Sequence, residues 1–285
     1  MGNINPWLAV ILFIVLAPIA GGLLAGADRI ISARMQGRVG PPLLQPFYDV
    51  LKLLSKENIA VNRYQKFYIL CFLIFTILAG GIFFSGGDML LAIFALTLAD
   101  VFLIVAAYST FSPYAHIGAE RELMQVMAYE PMLILTIVAM YMVTGSFNAG
   151  DVAAYTHTLL FSLPAVFLGF LFILTIKLRK SPFDISMSHH AHQELVRGII
   201  TEFSGRELAM VEVAHWYETI FLLGIIWLFF ASNPVVALIV VLITYFLEIF
   251  IDNISSRLKW HTALKWSWIL ALVLGAGNIA VLSLL

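Results

Sequence analysis

The positive charges of this chain are confined to alternate connections between its long apolar stretches. All 16 Lys and Arg residues lie in 28–66, 111–123, 177–206 and 253–265, and the remaining connections and both ends of the chain contain none. Because cytoplasmic loops of membrane proteins retain positive charge, this alternation predicts a polytopic membrane protein with one orientation. The four basic segments are then inner loops, and both termini lie outside.

The composition agrees with a membrane location. Of 285 residues, 61% are apolar and 12% are charged, which is about half the charged fraction of an average soluble domain. Apolar runs of about 18 to 25 residues recur, and each can cross roughly 30 Å of hydrocarbon as a helix. We therefore predict an all-α polytopic integral membrane protein, in which 1–285 form a single transmembrane domain with eight helices. The predicted spans are approximately 7–27, 66–85, 89–110, 124–144, 159–178, 207–231, 234–252 and 263–284.

Simple counts argue against several other kinds of protein. Cys71 is the only cysteine and falls inside a predicted span. One thiol cannot hold an iron–sulfur cluster or a nickel–iron centre, so we expect no redox cofactor in this chain. The net charge of −1 gives no indication of nucleic-acid binding. No basic residue precedes the first span, so we expect a retained helix there rather than a cleaved signal.

The inner loops 28–66 and 177–206 hold most of the polar sequence, and long ordered loops usually carry function. In the first loop, GRVGPP predicts a turn and Pro46–Lys56 predicts an amphipathic helix. Its apolar face contains Phe47, Val50, Leu51 and Leu54. This helix can lie at the membrane interface or bind a partner, and we expect both loops to dock soluble partners. The candidate interface residues are Arg34, Arg38, Asp49, Asp184, His189, His190 and His192.

The second long loop contains a cluster of three histidines in the sequence SHHAHQ. His189, His190 and His192 are compatible with a metal site, with a point of proton uptake, or with packing at an interface. Imidazoles so close in sequence rarely complete a coordination sphere without a distant fourth ligand. We therefore expect no tight metal site here.

Several acidic residues fall inside the predicted spans, where an ionised side chain costs roughly 3 kcal/mol on insertion scales. Asp100 lies near the middle of the third span, Glu130 near the start of the fourth, and Glu248 near the inner end of the seventh. Such residues are candidates for a proton path. Asp100 can alternatively form a simple hydrogen bond to a neighbouring helix.

The sixth span is the richest in titratable groups. On an ideal wheel they occupy a sector of roughly 140°, which must face protein or water. Proton-relay helices have this pattern, because transfer needs groups within hydrogen-bond or one-water reach. The four groups are Glu207, Glu212, His215 and Glu218. The alternative is that the acids only fasten helices by pairing with Arg121, Arg197 or Arg206.

Three motifs resemble the H-subunit family of respiratory complex I. They are GRVGPPLLQPFYDVLKLLSKE (37–57), GAERELMQVMAYEP (118–131) and PFD…ELVRG…TEFSG (182–205), in the order of that family. One feature differs, because nine residues, ISMSHHAHQ, separate Asp184 from Glu194. That stretch resembles energy-converting membrane-bound [NiFe] hydrogenases of the Ech type.

The resemblance implies a subunit that anchors a peripheral redox arm and couples ferredoxin-driven proton reduction to transport of H⁺ or Na⁺ across a prokaryotic plasma membrane. The implied partners are hydrogenase large and small subunits, a ferredoxin-like iron–sulfur subunit and an antiporter-like membrane subunit. The NiFe centre and the iron–sulfur clusters would belong to those partners. The resemblance also implies that Glu130, Glu194 and Glu202 belong to the proton path and that Asp184 is the loop aspartate of the PFD motif.

Three other functions stay open at this stage. The chain can be a quinone-site membrane subunit of complex I or of a related dehydrogenase. It can be a stand-alone secondary ion transporter, although such transporters usually show inverted repeats and broken helices. It can also be a purely structural anchor, and only replacement of the acids would separate an anchor from a conduit.

Overall fold

The structure is a computed structural model that describes residues 5–57, 62, 64–184, 186 and 197–284. Within these residues the extended structure amounts to one isolated bridge, Asp88 to Asn148, and all other regular structure is helical. The prediction of an all-α polytopic membrane protein is thus confirmed. The α-helices are α1 (Pro6–Met35), α2 (Gln45–Ser55), α3 (Gln65–Phe84), α4 (Met89–Tyr108), α5 (Pro113–Thr144), α6 (Ala149–Ala153), α7 (Pro164–Lys177), α8 (Gly205–Phe229), α9 (Pro234–Ile254), α10 (Trp260–Leu270) and α11 (Gly277–Leu284).

Seven helical segments in the described part of the chain are long and apolar enough to cross a membrane. They are α1, α3, α4, α5, α8, α9 and the continuous segment Trp260–Leu284, in which a π-helical stretch, Ala271–Ala276, joins α10 to α11. The fifth predicted span, 159–178, contains a 3₁₀ turn, Leu159–Phe161, and then α7. The 14 residues of α7 rise about 21 Å, less than the full hydrocarbon thickness. The count of eight spans and the outer position of both termini therefore stay predictions.

The helix ends on the predicted outer side carry the expected polar caps. Asp88 accepts hydrogen bonds from two backbone N–H groups at the start of α4, and Asn233 does the same for α9. Asn5 caps α1 in the same way through the N–H of Trp7. These short side chains satisfy donors that a helix start leaves without partners. The outer connections are therefore closed by local hydrogen bonds, without basic residues.

The centre of the bundle is α8, which packs against α1, α2, α3 and α9. Small residues let the neighbouring backbones approach, as is usual between membrane helices. Gly21 of α1 lies against Trp216 of α8, and Gly80 of α3 lies against the Phe13 ring. By contrast, most of α1 and of the last span faces outwards.

The amphipathic helix predicted at Pro46–Lys56 is present as α2. Phe47 lies against Gly22 and stacks obliquely on Trp216, with ring centroids 5.2 Å apart. Leu51 and Leu54 are exposed. Because one apolar side holds α1 and α8 while other leucines point away from the protein, α2 has the character of an interfacial helix.

Candidate functional site

A polar cavity of about 480 Å³, here called the polar chamber, opens at the predicted inner side of the bundle. The inner halves of α1, α8 and α9 and the chain just after α7 form its walls. The residues used below that line it are Asp28, Lys177, Arg179, Glu212, His215 and Glu218. Six titratable side chains around one cavity within a membrane bundle mark this region as the candidate site.

The deepest part of the site is a buried ion-pair cluster around Lys177, the last residue of α7. Its Nζ atom lies 2.5 Å from Oδ2 of Asp100 on α4 and 2.6 Å from Oε1 of Glu218 on α8. The Tyr129 hydroxyl donates to the same Asp100 oxygen at 2.5 Å and accepts from Lys177 at 3.0 Å. Lys177, Glu218 and Asp100 are only 7%, 4% and 1% exposed. Three membrane helices and a tyrosine from α5 therefore meet at one ammonium group.

A second cluster lies beside the first and is built around Arg179. Its guanidinium donates to Oε1 of Glu122 at 2.7 Å and contacts Nε2 of His215. The backbone of Arg179 is left-handed, with φ 54°, which costs of order 1 kcal/mol or more outside glycine. This turn directs the side chain towards its partners on α5 and α8. His215 accepts from a guanidinium, which can only donate, so its imidazole is uncharged in this arrangement.

The mouth of the chamber holds further ion pairs. Lys180 contacts Asp28 of α1 and lies 3.3 Å from Oδ2 of Asp252 on α9, whose Oδ1 accepts the Ser181 N–H at 2.8 Å. Burial opposes the charge of Lys180, but the two carboxylates outweigh that effect and raise its pKa above the ordinary value. These contacts fasten the chain after α7 to α1 and α9.

Asp184, the aspartate of the PFD motif, is held by Arg257, with 2.5 Å between Nη2 and Oδ2. Burial raises the pKa of Asp184 to about 6, although the Arg257 charge acts in the opposite direction. Beside it, the Gln125 amide donates to the Phe183 carbonyl at 2.5 Å. The start of this loop is therefore fixed to α5 and to the segment after α9.

The structure brings together three of the four residues that the helical wheel groups on the sixth span. Glu212, His215 and Glu218 all line the polar chamber. Glu207 is fully buried in the first turn of α8 and lies outside the chamber lining. The wheel therefore groups the residues correctly by direction, but Glu207 sits below the cavity, two turns from His215.

The other predicted path residues occupy separate places. Asp100 belongs to the Lys177 cluster, whereas Glu130 follows Tyr129 on α5 and is half-buried. Glu202 is half-buried in the turn before α8, where its carbonyl accepts from Gln65 at 3.2 Å. Glu248 is fully buried on α9, close to the Thr175 hydroxyl of α7.

The predicted interface residues lie on the same side of the bundle as the chamber. Arg34 and Arg38 are exposed. Asp49 of α2 binds Arg29 of α1 at 2.5 Å. Partial burial acts to raise the pKa of Asp49, but hydrogen bonds from Arg29 and Gln45 outweigh it, so the pKa is lowered. The remaining candidates, His189, His190, His192 and Glu194, lie outside the described residues.

The sequence patterns do not single out four central residues: Glu122, Tyr129, Lys177 and Arg179. They suggest Arg121, Arg197 and Arg206 as partners for the acids, yet Asp100 and Glu218 share Lys177. The charge pattern also assigns Lys177 to the inner loop 177–206, but Lys177 closes α7 and its side chain is buried. The available signal is that Lys177 and Arg179 continue an apolar run without a break.

No group of three or more His, Cys, Asp or Glu side chains that could hold a metal ion occurs among the residues that the structure describes. The ion pairs found there join carboxylates to ammonium or guanidinium groups. The chemistry available to the described part of the chamber is therefore proton exchange and charge compensation.

Comparison with known proteins identifies the family. The sequence profile described as NADH dehydrogenase matches residues 8–283, which is nearly the whole chain. The protein therefore belongs to this family, and the resemblance to the complex I H-subunit family is confirmed.

The relatives belong to several kinds of complex. Hydrogenase-4 component C of Escherichia coli (strain K12) is 30% identical over 206 residues, which cover 67% of this chain and 64% of that protein. Formate hydrogenlyase subunit 4 of the same organism is 26% identical over 298 residues, covering 94% and 95%. The H-type membrane component of NADH-quinone oxidoreductase from Chlorobaculum parvum is 30% identical over 218 residues, covering 66% and 64%.

A solved structure shares the fold over almost the entire length. It is the membrane-bound sulfane sulfur reductase, an archaeal respiratory membrane complex, one chain of which superposes with a TM-score of 0.83. The identity is 27%, and the match covers 96% of this chain and 100% of that chain. The protein is thus a complex I H-subunit-like membrane component of a hydrogenase or dehydrogenase complex, and a multi-pass protein of the plasma membrane.

Proposed function

We propose that this chain is the membrane subunit of an energy-converting [NiFe] hydrogenase of the Ech type. It anchors the peripheral redox arm and couples proton reduction by ferredoxin electrons to transport of H⁺ or Na⁺. Its partners are the hydrogenase large and small subunits, a ferredoxin-like iron–sulfur subunit and an antiporter-like membrane subunit. The NiFe centre and the iron–sulfur clusters lie in those partners.

One observation carries the coupling role: the polar chamber ends on a buried chain of charges that leads into the membrane. Glu218 and Lys177 line the chamber, and Lys177 continues to Asp100. Asp100 is eight residues from Tyr108 at the inner end of α4, which is roughly 12 Å along the helix. A structural anchor has no need of charges at this depth, because each is costly to insert.

The arrangement supports a simple proton relay. A change of charge on the redox side of the chamber alters the free energy of the ionised carboxylates that face it. Glu218 and Glu212 then take up or release a proton through chamber water, because both line the cavity. The Lys177 cluster passes the change on to Asp100 between α4 and α5. Glu130, Glu194, Glu202, Glu207 and Glu248 stay proposed members of the wider lateral path.

The experiment begins with purification of the intact complex from membranes. A co-purifying subunit with two CxxC motifs, and hydrogen evolution from reduced ferredoxin, would identify the hydrogenase. In sealed vesicles, the wild-type complex should generate an ion gradient during hydrogen evolution. A preparation with no hydrogenase subunit, or one that evolves hydrogen without any gradient, would contradict the proposal.

A matched pair of variants then tests the chamber itself. Glu218→Gln keeps shape and hydrogen bonding but removes titration, so ions moved per hydrogen should fall roughly tenfold in assembled complex. Glu120→Gln is the control, since Glu120 is exposed on α5. Wild-type pumping by Glu218→Gln would show that the conduit runs elsewhere.

A quinone-site function is the second candidate, and one feature favours it. An apolar cavity of about 700 Å³, here called the apolar cavity, continues the α1–α8–α9 cleft beyond the polar chamber. Leu23, Leu238 and Leu242 line it and are exposed on the lipid side, so an isoprenoid tail could enter. Quinone bound stoichiometrically to the purified complex, together with electron transfer to it, would establish this function instead.

A further inference from the structure

We infer that Lys177 is a switching residue, which exchanges its partners Glu218 and Asp100 and so carries a change of protonation from the polar chamber to the middle of the membrane. This inference rests on the proposed coupling function. It assigns to one positioning residue the step that connects the chamber to the buried acid.

The first observation is that the ammonium group of Lys177 is fully used. It has three N–H donors, and three acceptors surround it: Asp100 Oδ2 at 2.5 Å, Glu218 Oε1 at 2.6 Å and the Tyr129 hydroxyl at 3.0 Å. The four side chains come from α4, α5, α7 and α8. These three acceptors match the three donors, so a change at one carboxylate must alter the contacts to the others.

The second observation is that Lys177 lies at a boundary. Lys177 and Glu218 line the polar chamber, whereas Asp100 and Tyr129 do not. Asp100 is 1% exposed, and its Oδ1 atom has no hydrogen-bond partner among the described residues. A proton from chamber water can therefore reach Glu218 directly, but it can influence Asp100 only through Lys177.

The third observation is the charge balance. The titratable or charged groups that face Lys177 from the elements packed around it are Asp100 (α4), Glu122 and Tyr129 (α5), Arg179 (after α7), and His215 and Glu218 (α8). With Tyr129 and His215 uncharged, three carboxylates surround two cations, which leaves one negative charge in excess. Buried clusters are stable only when their charges are compensated. One proton taken up here restores the balance.

The step follows from these three observations. A proton from water in the chamber binds Glu218, which then no longer attracts the ammonium as an ion. Lys177 keeps its proton and moves fully onto Asp100 and Tyr129, so Asp100 becomes compensated. When Glu218 releases the proton to the chamber, the ammonium is shared again and Asp100 regains excess negative charge. No bond other than the O–H bond of Glu218 is made or broken.

The test compares three variants in the intact complex. Lys177→Met removes the ammonium, and ions moved per hydrogen should fall about tenfold while uncoupled hydrogen evolution continues. Lys177→Arg keeps the charge and should retain at least half of the wild-type ratio. Lys265→Met is the matched control, because Lys265 is exposed on α10.

A spectroscopic readout separates switching from mere support of the fold. In Lys177→Met, Asp100 and Glu218 lose their shared cation, so at least one should be protonated at neutral pH. Infrared spectra of the purified complex should then show an added carboxylic acid C=O band that disappears in Lys177→Met/Glu218→Gln/Asp100→Asn. If Lys177→Met alone does not assemble, Lys177→Met/Asp100→Asn, which removes one charge of each sign, takes its place.

The outcomes keep this inference apart from the proposed function. Loss of pumping in both Lys177→Met and Glu218→Gln, with recovery in Lys177→Arg, supports the switch. Wild-type pumping by Lys177→Met or by Lys177→Met/Asp100→Asn, while Glu218→Gln has lost it, overturns the switch but leaves the conduit intact. Normal pumping by Glu218→Gln overturns the conduit and the switch together.

Discussion

The cleft between α1, α8 and α9 has two halves that share the same helices but differ in chemistry. The inner half is the polar chamber, closed by the ion pairs of Lys177, Arg179 and Lys180. The outer half is the apolar cavity, which Leu223, Trp227 and Val241 line with other apolar side chains. The packing of three helices provides the cleft in both halves. The side chains alone decide that one half can hold charge and water and the other can hold only hydrocarbon.

The largest expected difference between the halves is in stability. Asp100→Ala leaves the Lys177 ammonium with one fewer carboxylate, and loss of one partner of a buried pair costs roughly 3–5 kcal/mol. We therefore expect poor assembly of Asp100→Ala and a clearly lowered thermal midpoint in detergent. Leu242→Ala in the apolar cavity is the comparison, and it should cost little because Leu242 is 54% exposed. Equal losses in the two variants would remove the proposed distinction.

A second prediction concerns the rim of the polar half. Reversing the charges of the exposed Arg34 and Arg38 to Glu should detach the peripheral arm and leave the membrane part assembled, because rim charges set docking more than folding. Co-purification after detergent extraction measures this, with Lys259→Glu as an exposed control on the same predicted side. An arm that stays bound and active, or labelling of these residues from outside intact cells, would count against the assigned docking surface.

A third prediction ranks the acids along the chamber. Glu212→Gln and Glu202→Gln should lower ions moved per hydrogen by less than Glu218→Gln does, because Glu218 contacts Lys177 directly. Glu212 lines the chamber, while Glu202 lies in the turn before α8. Vesicle measurements of ion transport and hydrogen evolution on assembled variants give the ranking. A larger effect at Glu202 than at Glu218 would move the main conduit towards the loop.

The smallest prediction is a pH effect at the chamber mouth. Burial raises the pKa of Asp184 from 3.8 in the unfolded chain to about 6, so its neutral form is favoured in the folded protein. The associated stability is present below pH 4 and is lost as the pH rises through 6, at most about 3 kcal/mol. The thermal midpoint of the wild type should therefore fall more between pH 4.5 and 7 than that of Asp184→Asn. Parallel curves would contradict the assignment.

The elements with strong patterns can be predicted from the sequence. The apolar runs and the alternating Lys and Arg residues indicate the long helices, and α2 follows from the apolar spacing of Phe47 and Val50. The weakest prediction is the fifth span, because α7 begins at Pro164 after a 3₁₀ turn and is short. Hydrophobicity measures apolar length, but it does not show where a chain turns within an apolar run.

The centre of the candidate site is less accessible from the sequence. The wheel places His215 and Glu218 on one side of α8, and both line the chamber. It cannot show that α7 ends so that Lys177 turns inwards between Asp100 and Glu218. The pairing with Asp100 joins residues 77 positions apart along the chain. A charge at the end of an apolar run normally indicates a loop residue, and only the packing of α4, α7 and α8 distinguishes the two cases.

The most direct test of the comparison measures ions moved per hydrogen in sealed vesicles for one variant in each half of the cleft. Glu218→Gln changes the polar chamber, and Ala20→Phe adds volume to the apolar cavity, which Ala20 lines. We predict a roughly tenfold lower ratio for Glu218→Gln and an unchanged ratio for Ala20→Phe. A normal ratio in Glu218→Gln, or a loss confined to Ala20→Phe, would contradict the assignment of ion coupling to the polar half.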